Sequence, residues 1–243
     1  MIKVFGYAEL GELADVSPFV AKVENYLRLA EVPYVKRLGD PRKAPRGKLP
    51  YIVHAGQTVP DSQRILDYLR EQAVADLDDW LDPDQRAQLF MLRSMLELDF
   101  YFLGVYFRWQ AEAGWAGYRG VIEGVMRKAG VPGLLVPLVL RSARKGAVAQ
   151  VIAQGTGKRD ADENLAHARE IVATLDRLLV GCEGPWWFGA KRSSADAIVH
   201  AFLGGGIASG MSGPLMGITD GHPRLREWFD HVHALVKNPA RLN

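Results

Sequence analysis

Two helix starts carry the residue types that can do chemistry. Ser17-Pro18 puts a hydroxyl just ahead of a proline at a first helical position, and Asp61-Ser62 puts a carboxylate and a hydroxyl ahead of a second apolar run. A helix start leaves amide N–H groups unpaired at the positive end of the helix dipole, so a donor placed there can help hold an anion. Each pair reads equally well as a plain cap of its own helix. Arg46 and Lys48 sit nearby in sequence, in a basic stretch that also reads as a solvated loop. A third feature is aromatic. Eight of the 23 aromatic residues fall between positions 100 and 118: Phe100, Tyr101, Phe102, Tyr106, Phe107, Trp109, Trp115 and Tyr118. One helical face cannot bury Phe100, Tyr101 and Phe102 together, so part of the cluster is expected to line an interdomain cleft, an interface or an apolar pocket.

Other chemistries lack their residues. Gly204-Gly205-Gly206-Ile207-Ala208 ends in Ser209 where a dinucleotide fingerprint needs its last glycine, and it reads as a flexible turn. Neither Ser209 nor Ser212 completes a nucleophile elbow. His231 and His233 are two apart and would diverge on a helix, which makes a poor metal pair. The single cysteine, Cys182, can form neither an internal disulfide nor a CxxC pair, which suits a reducing compartment. Basic and acidic residues number 30 and 28, divided 11 to 12 over residues 1–80 and 19 to 16 beyond, so no nucleic-acid partner is expected. The apolar run Val131–Leu140 is broken by Pro132 and Pro137 and is far shorter than the roughly 18 residues that span a bilayer. It reads as a buried helical segment. The run from Met1 to Phe5 is too short for a signal-peptide core, and the expected location is cytoplasmic.

The elements that would position these residues differ in texture along the chain. Ile2–Phe5 reads as a strand, residues 6–16 as an eleven-residue loop, and Ser17-Pro18 as the start of a helix whose apolar face is Phe19, Val23, Leu27 and Ala30, stopped by Pro33. Tyr34–Leu38 is a second strand. A loop over residues 40–48 precedes two short strands, Leu49–His54 and Gln57–Val59, joined tightly through Ala55-Gly56. The helix begun at Asp61-Ser62 buries Ile65, Leu66 and Leu69. The order is β-α-β followed by β-β-α. Acidic residues 73–83 read as a connector, and helical patterning dominates thereafter: one long helix over Gln85–Gln110, a stretch broken by glycine and proline to about Lys145, and a helix over Glu163–Leu179. Ser193-x-x-Asp196 opens a last apolar run with a reciprocal cap.

This order, with Ser17-Pro18-Phe19 followed by Lys22-Val23, the strand Lys48-Leu49-Pro50-Tyr51-Ile52, Asp61-Ser62 after it, and the Ser193-Ser194-Ala195-Asp196-Ala197 cap, resembles the glutathione transferase superfamily. The wording of residues 17–34 and 46–52 looks most like its metaxin-like and failed-axon-connections-like branch. The resemblance implies an α/β thioredoxin-like domain over residues 1–75 and an all-α C-terminal domain over residues 84–243. It differs from the family in the long loop before Ser17, and in Arg192, which stands where an apolar residue often packs before the helical-domain cap.

The same resemblance implies glutathione as co-substrate, a small apolar electrophile as its partner, and a homodimer. Conjugation needs a thiolate, and an ordinary thiol titrates near 8.5. The Ser17 hydroxyl would stabilise the sulfur anion; Tyr7 is the alternative donor, or else a loop tyrosine. Pro50 would be a cis proline that presents the backbone of Leu49 to the peptide. Asp61 and Ser62 would hold the γ-glutamyl end, and Lys48 or Arg46 would meet the glycyl carboxylate. The competing implication is a non-catalytic interaction protein of the same fold, as in metaxin-like relatives.

Overall fold

The structure is a computed structural model that describes residues 1–180, 183–209 and 213–237. The chain opens with β1 (Ile2–Gly6), whose side chains alternate between buried and open positions, and continues through a loop into α1 (Pro18–Leu29). β2 (Tyr34–Leu38) follows, then β3 (Tyr51–His54), β4 (Gln57–Pro60) and α2 (Ser62–Glu71). The four strands form one sheet in the order β2-β1-β3-β4, with β1 parallel to β2 and antiparallel to β3. Parallel pairing of β1 with β2 needs a crossover, and α1 supplies it. This is the thioredoxin-like topology that the resemblance implies.

The connector to the helical part is docked. The Trp80 indole N–H donates to the carbonyls of Leu77 and Arg192, and the Asp78 carboxylate accepts from the backbone and hydroxyl of Ser194 at 2.8 and 2.7 Å. α3 (Pro83–Met95) starts from a capping box between Asp82 and Gln85. The long helix expected to reach Gln110 does so, but not as one regular spiral: a π turn at Leu96–Phe100, a short α4 (Tyr101–Val105) and a second π turn at Tyr106–Gln110 follow in succession. Each π turn adds a residue to the local repeat and rotates the side chains after it. That rotation is how the aromatic run distributes its rings over more than one face.

Two other expectations are corrected, while the expected break by glycine and proline falls at Gly130, Pro132 and Gly133, between α5 (Glu112–Lys128) and α6 (Val136–Gln154). Gly114 is required by packing, since a Cβ there would meet the Phe107 carbonyl at 1.7 Å. The glycine triplet is not a turn, because it lies inside α8 (Ser194–Ile207), where a Cβ on Gly204 would strike Leu13 and one on Gly206 the Leu215 carbonyl. The run Val131–Leu140 buries only Val136 and Leu140, leaving Leu134 97% and Leu138 68% exposed. It is a largely exposed stretch leading into α6 rather than a core segment.

α7 (Ala161–Val180), α8 and α9 (Pro223–Lys237) complete the helical part. The expected capping box of α8 is present, with the Asp196 carboxylate taking the Ser193 N–H at 2.8 Å. Its other oxygen accepts from the Trp187 N–H and the Trp228 indole, and complete burial still pushes the carboxyl up to about 6. One apolar core runs from Ile2, Val4 and Ile52 through Val23 and Leu27 to Ala197, Leu225 and Phe229, so α1 is shared by the sheet and the helices. Among the described residues no helix is long and apolar enough to cross a membrane. Cys182 and Ser212 lie outside the described residues.

Candidate functional site

The register of the sheet brings three segments to one edge. Phe5 at the end of β1 pairs with Tyr51 at the start of β3, and Tyr51 pairs with Pro60 at the end of β4. The chain just beyond these positions carries the loop into Ser17, the Leu49–Pro50 peptide and Asp61. That peptide is cis, and the Asp61 N–H donates to the Pro50 carbonyl at 3.3 Å. Leu49 is buried against Val20 in the first turns of α1. Because the ladder with β4 begins at Tyr51, the main chain of Leu49 stands outside it.

Ser17 is half-buried at the N-cap position of α1, with an extended backbone, and its side chain makes no capping hydrogen bond. Of the two readings open from sequence, the plain cap is therefore not the one the hydroxyl adopts. Its backbone is held from behind: the Ser17 N–H donates to Asp15 Oδ1 at 2.8 Å. Asp15 is 1% exposed, and its other oxygen lies 2.9 Å from Lys36 Nζ, which also reaches Glu24 at 3.1 Å and donates to the Ala14 carbonyl. Burial lifts the Asp15 carboxyl to about 7 against the opposing pull of Lys36. Tyr7 packs beside Leu49 and Val20. Burial, followed by the fields of Asp15, Tyr101 and Tyr118, pushes it up to about 12, so it stays protonated and can act only as a neutral hydroxyl.

Asp61 does cap its helix. With φ at 76°, its Oδ1 accepts from the Gln63 and Arg64 amides at 3.0 and 3.1 Å, while Oδ2 lies 3.9 Å from Arg46 and half of the side chain faces solvent. Ser62 is buried beside it. Lys48 is exposed and is not brought to these residues by any ion pair among those described. Sequence reasoning missed what lies underneath. Lys22, fully buried on α1, donates to Gln63 Oε1 at 2.9 Å and to Glu97 Oε1 at 2.6 Å, tying the start of α2 to the first π turn. Burial lowers its pKa and Glu97 opposes the shift. The only sequence signal was a lysine where the helix period calls for an apolar residue.

The start of α1 borders a cleft of about 640 Å³, part of it open to solvent. Pro18 forms one side; Phe100, Tyr101, Gly104, Phe107 and Arg108 come from the π-interrupted helix, Tyr118 from α5, Phe202, Gly205 and Gly206 from α8, and residues 213–216 close the far end. Four of the eight clustered aromatics thus line it. Trp109 instead stacks with Trp115 and meets Tyr118 edge-on, and Tyr106 is packed away on Val105 and Val151. His231 lies against Trp186, and His233 bridges His200 to Glu12. No group of three or more potential metal ligands occurs among the described residues.

A thioredoxin-like sheet with a cis proline at its edge, followed by a helical part that forms an aromatic cleft with the start of α1, is the arrangement that the resemblance to glutathione transferases implies. The family model for the glutathione S-transferase N-terminal domain matches residues 18–114. Isoprene-epoxide glutathione S-transferase of Rhodococcus sp. strain AD45 is 31% identical over 213 residues, covering 84% of this chain and 85% of that one. The chain belongs to the glutathione S-transferase family. Failed axon connections of Drosophila melanogaster is 24% identical over 84% of this chain, which spans about half (49%) of that longer protein. Solved structures support the fold alone: beta-etherase LigF from Sphingobium sp. strain SYK-6 superposes with a TM-score of 0.63 at 17% identity, covering 100% of this chain and 99% of that one. Glutathione transferase F7 from Populus trichocarpa gives 0.61 at 12%, covering 99% and 98%.

Proposed function

We propose that the protein conjugates glutathione to a small apolar electrophile bound in the aromatic cleft. The observation that carries this is the Ser17 hydroxyl, uncommitted to its own helix, at a helix N-terminus that borders that cleft. In this reading Ser17 donates to the glutathione sulfur, the main chain of Leu49 beside Pro50 pairs with the peptide, and Asp61 and Ser62 hold the γ-glutamyl end, with Arg46 or Lys48 toward the glycyl carboxylate. A thiolate at the cleft mouth attacks the electrophilic carbon; the new C–S bond forms as the bond to the leaving atom breaks. The name of the Rhodococcus relative makes an epoxide the first electrophile to try. There the ring C–O bond breaks, and the resulting alkoxide takes a proton from solvent. Calorimetry with glutathione, followed by conjugation assays with styrene oxide and an aryl chloride, tests the proposal. Neither heat nor conjugate would sink it, and would favour the interaction-protein reading that similarity to Failed axon connections keeps in play. We place the protein in the cytoplasm as a homodimer. Phe90, Met91 and Leu98, each at least 60% exposed along α3 and the π turn that follows it, support the dimer, and sedimentation as a monomer at micromolar concentration would refute it.

A further inference from the structure

Arg108 is the one charged side chain among the described residues that line the cleft. Its surroundings are otherwise apolar or neutral: Phe100, Phe107 and Phe202 are nearly buried, and burial raises the pKa values of Tyr101 and Tyr118, so their hydroxyls stay protonated. The guanidinium uses one N–H on its own helix, Nε donating to the Gly104 carbonyl at 2.9 Å, and its carbon stands 5.8 Å from the centre of the Tyr118 ring. No carboxylate among the described residues comes within ion-pair distance of it. A half-buried cation in such a setting has its remaining donors directed at no anion among the described residues. Aromatic faces offset only part of what desolvation of the charge costs. Gly104 and Gly114 keep this part of the wall low: a Cβ on Gly104 would come within 3.1 Å of the guanidinium.

We infer that Arg108 is a specificity-determining residue that selects electrophiles bearing a carboxylate on an aromatic or apolar body. This deepens the transferase reading and rests on it. The rings of the cleft take the body, and the guanidinium fork takes the carboxylate through paired N–H donors, the geometry that arginine offers and lysine does not. The chemistry at the sulfur is unchanged, since the carboxylate neither gains nor loses a bond.

The test uses the whole chain with 2-naphthoate and its methyl ester as unreactive probes, and 4-carboxystyrene oxide against styrene oxide as substrates. Calorimetry on wild type is expected to favour the naphthoate over its ester. Arg108→Met should reduce that preference by about tenfold to a hundredfold, the range of a charge-assisted hydrogen bond, and Arg108→Lys should restore part of it. Kinetically, the kcat/KM ratio of the carboxylated to the plain epoxide should fall by the same factor, through KM. Equal probe preference in wild type and Arg108→Met overturns the inference. So does a fall in kcat on both epoxides with KM unmoved, which would assign Arg108 to the opening alkoxide, and so does weakened glutathione binding in the variant, which would assign it to a glutathione carboxylate. The naphthoate comparison needs no glutathione, so a wild type that ignores glutathione refutes the transferase reading while leaving Arg108 to be judged by its own probe.

Discussion

Replacing Ser17 by alanine separates catalysis from structure in this site. A serine that caps its helix would cost roughly 1 kcal/mol of stability when truncated. Here the hydroxyl makes no capping bond, so Ser17→Ala should unfold within about 0.5 kcal/mol of wild type in urea. The function is where the loss should fall. One hydrogen bond to a charged acceptor contributes about 1.5 to 3 kcal/mol. At about 1.4 kcal/mol per unit, the pKa of the bound glutathione thiol should rise by about one to two units toward its ordinary value. The assay is a pH titration of thiolate ultraviolet absorbance in the binary complex, paired with the pH profile of kcat/KM. Both midpoints should move together, while the glutathione Kd measured at a pH below both of them changes little. Tyr7→Phe should move them less, since the Tyr7 ring packs beside Leu49 and Val20 and its hydroxyl makes no hydrogen bond among the described residues. An unchanged thiol midpoint in Ser17→Ala, with a stability loss near 1 kcal/mol, would return the hydroxyl to capping and refute the assignment.

Substitutions at three further positions probe the supports. Asp61→Ala should cost about 1 kcal/mol by uncapping α2 and weaken glutathione binding, whereas Asp61→Asn should keep most of the cap and lose the binding, as calorimetry and urea unfolding would show together. Lys22→Met strands Glu97, only 16% exposed at its side chain, and should destabilise by about 3 to 5 kcal/mol; a loss below 1 would mean the pair is not formed in solution. His200 is buried between Asn25, His233 and Phe229, and burial drops its pKa to about 3. Its folded value lies below the ordinary 6.5, so the unfolded chain takes up the proton first and stability is lost as pH falls from 6.5 toward 3. Between pH 6.5 and 4.5 the wild type should lose about 2 kcal/mol more than His200→Gln. Parallel curves would show that His200 titrates normally.

The sequence made the order of elements legible because short alternating strands and helical periods rest on local spacing, as do the caps at Asp61 and Ser193. What it hid was set by contacts distant in the chain. The glycines of α5 and α8 look like breakers until the Phe107 carbonyl, Leu13 and Leu215 are seen pressed against them. The π turns leave no local mark beyond an aromatic excess that one face could not bury. Asp15, Lys22 and Glu97 are unremarkable charges in the sequence, and only the folded chain places the first under Ser17 and joins the other two beneath Asp61. Arg108 was passed over for the same reason: nothing near it in sequence says that its neighbours in space are uncharged.

The long loop before Ser17 is the feature most at odds with the family pattern, and the structure shows why it need not loosen the site. Leu10 and Leu13 are buried, and Gly11, at φ 57°, brings the loop so close to α8 that a Cβ there would meet the Ser209 carbonyl at 2.5 Å. Glu12 is held by Lys237 and His233 on α9, and the Val16 N–H returns to the Ala8 carbonyl at 3.0 Å. Asp15 closes the series on Lys36 and the Ser17 amide. Loop length adds entropy only as a slow logarithm, about 0.6 kcal/mol per doubling, whereas these anchors include a buried ion pair and two buried leucines. Ser17 is therefore positioned by two separate groups of helices, α1 from one side and α8 with α9 from the other. A change at Gly11 or Glu12, distant from any sulfur, should then reach the hydroxyl through the loop, whereas a change in an exposed arginine such as Arg42 should not.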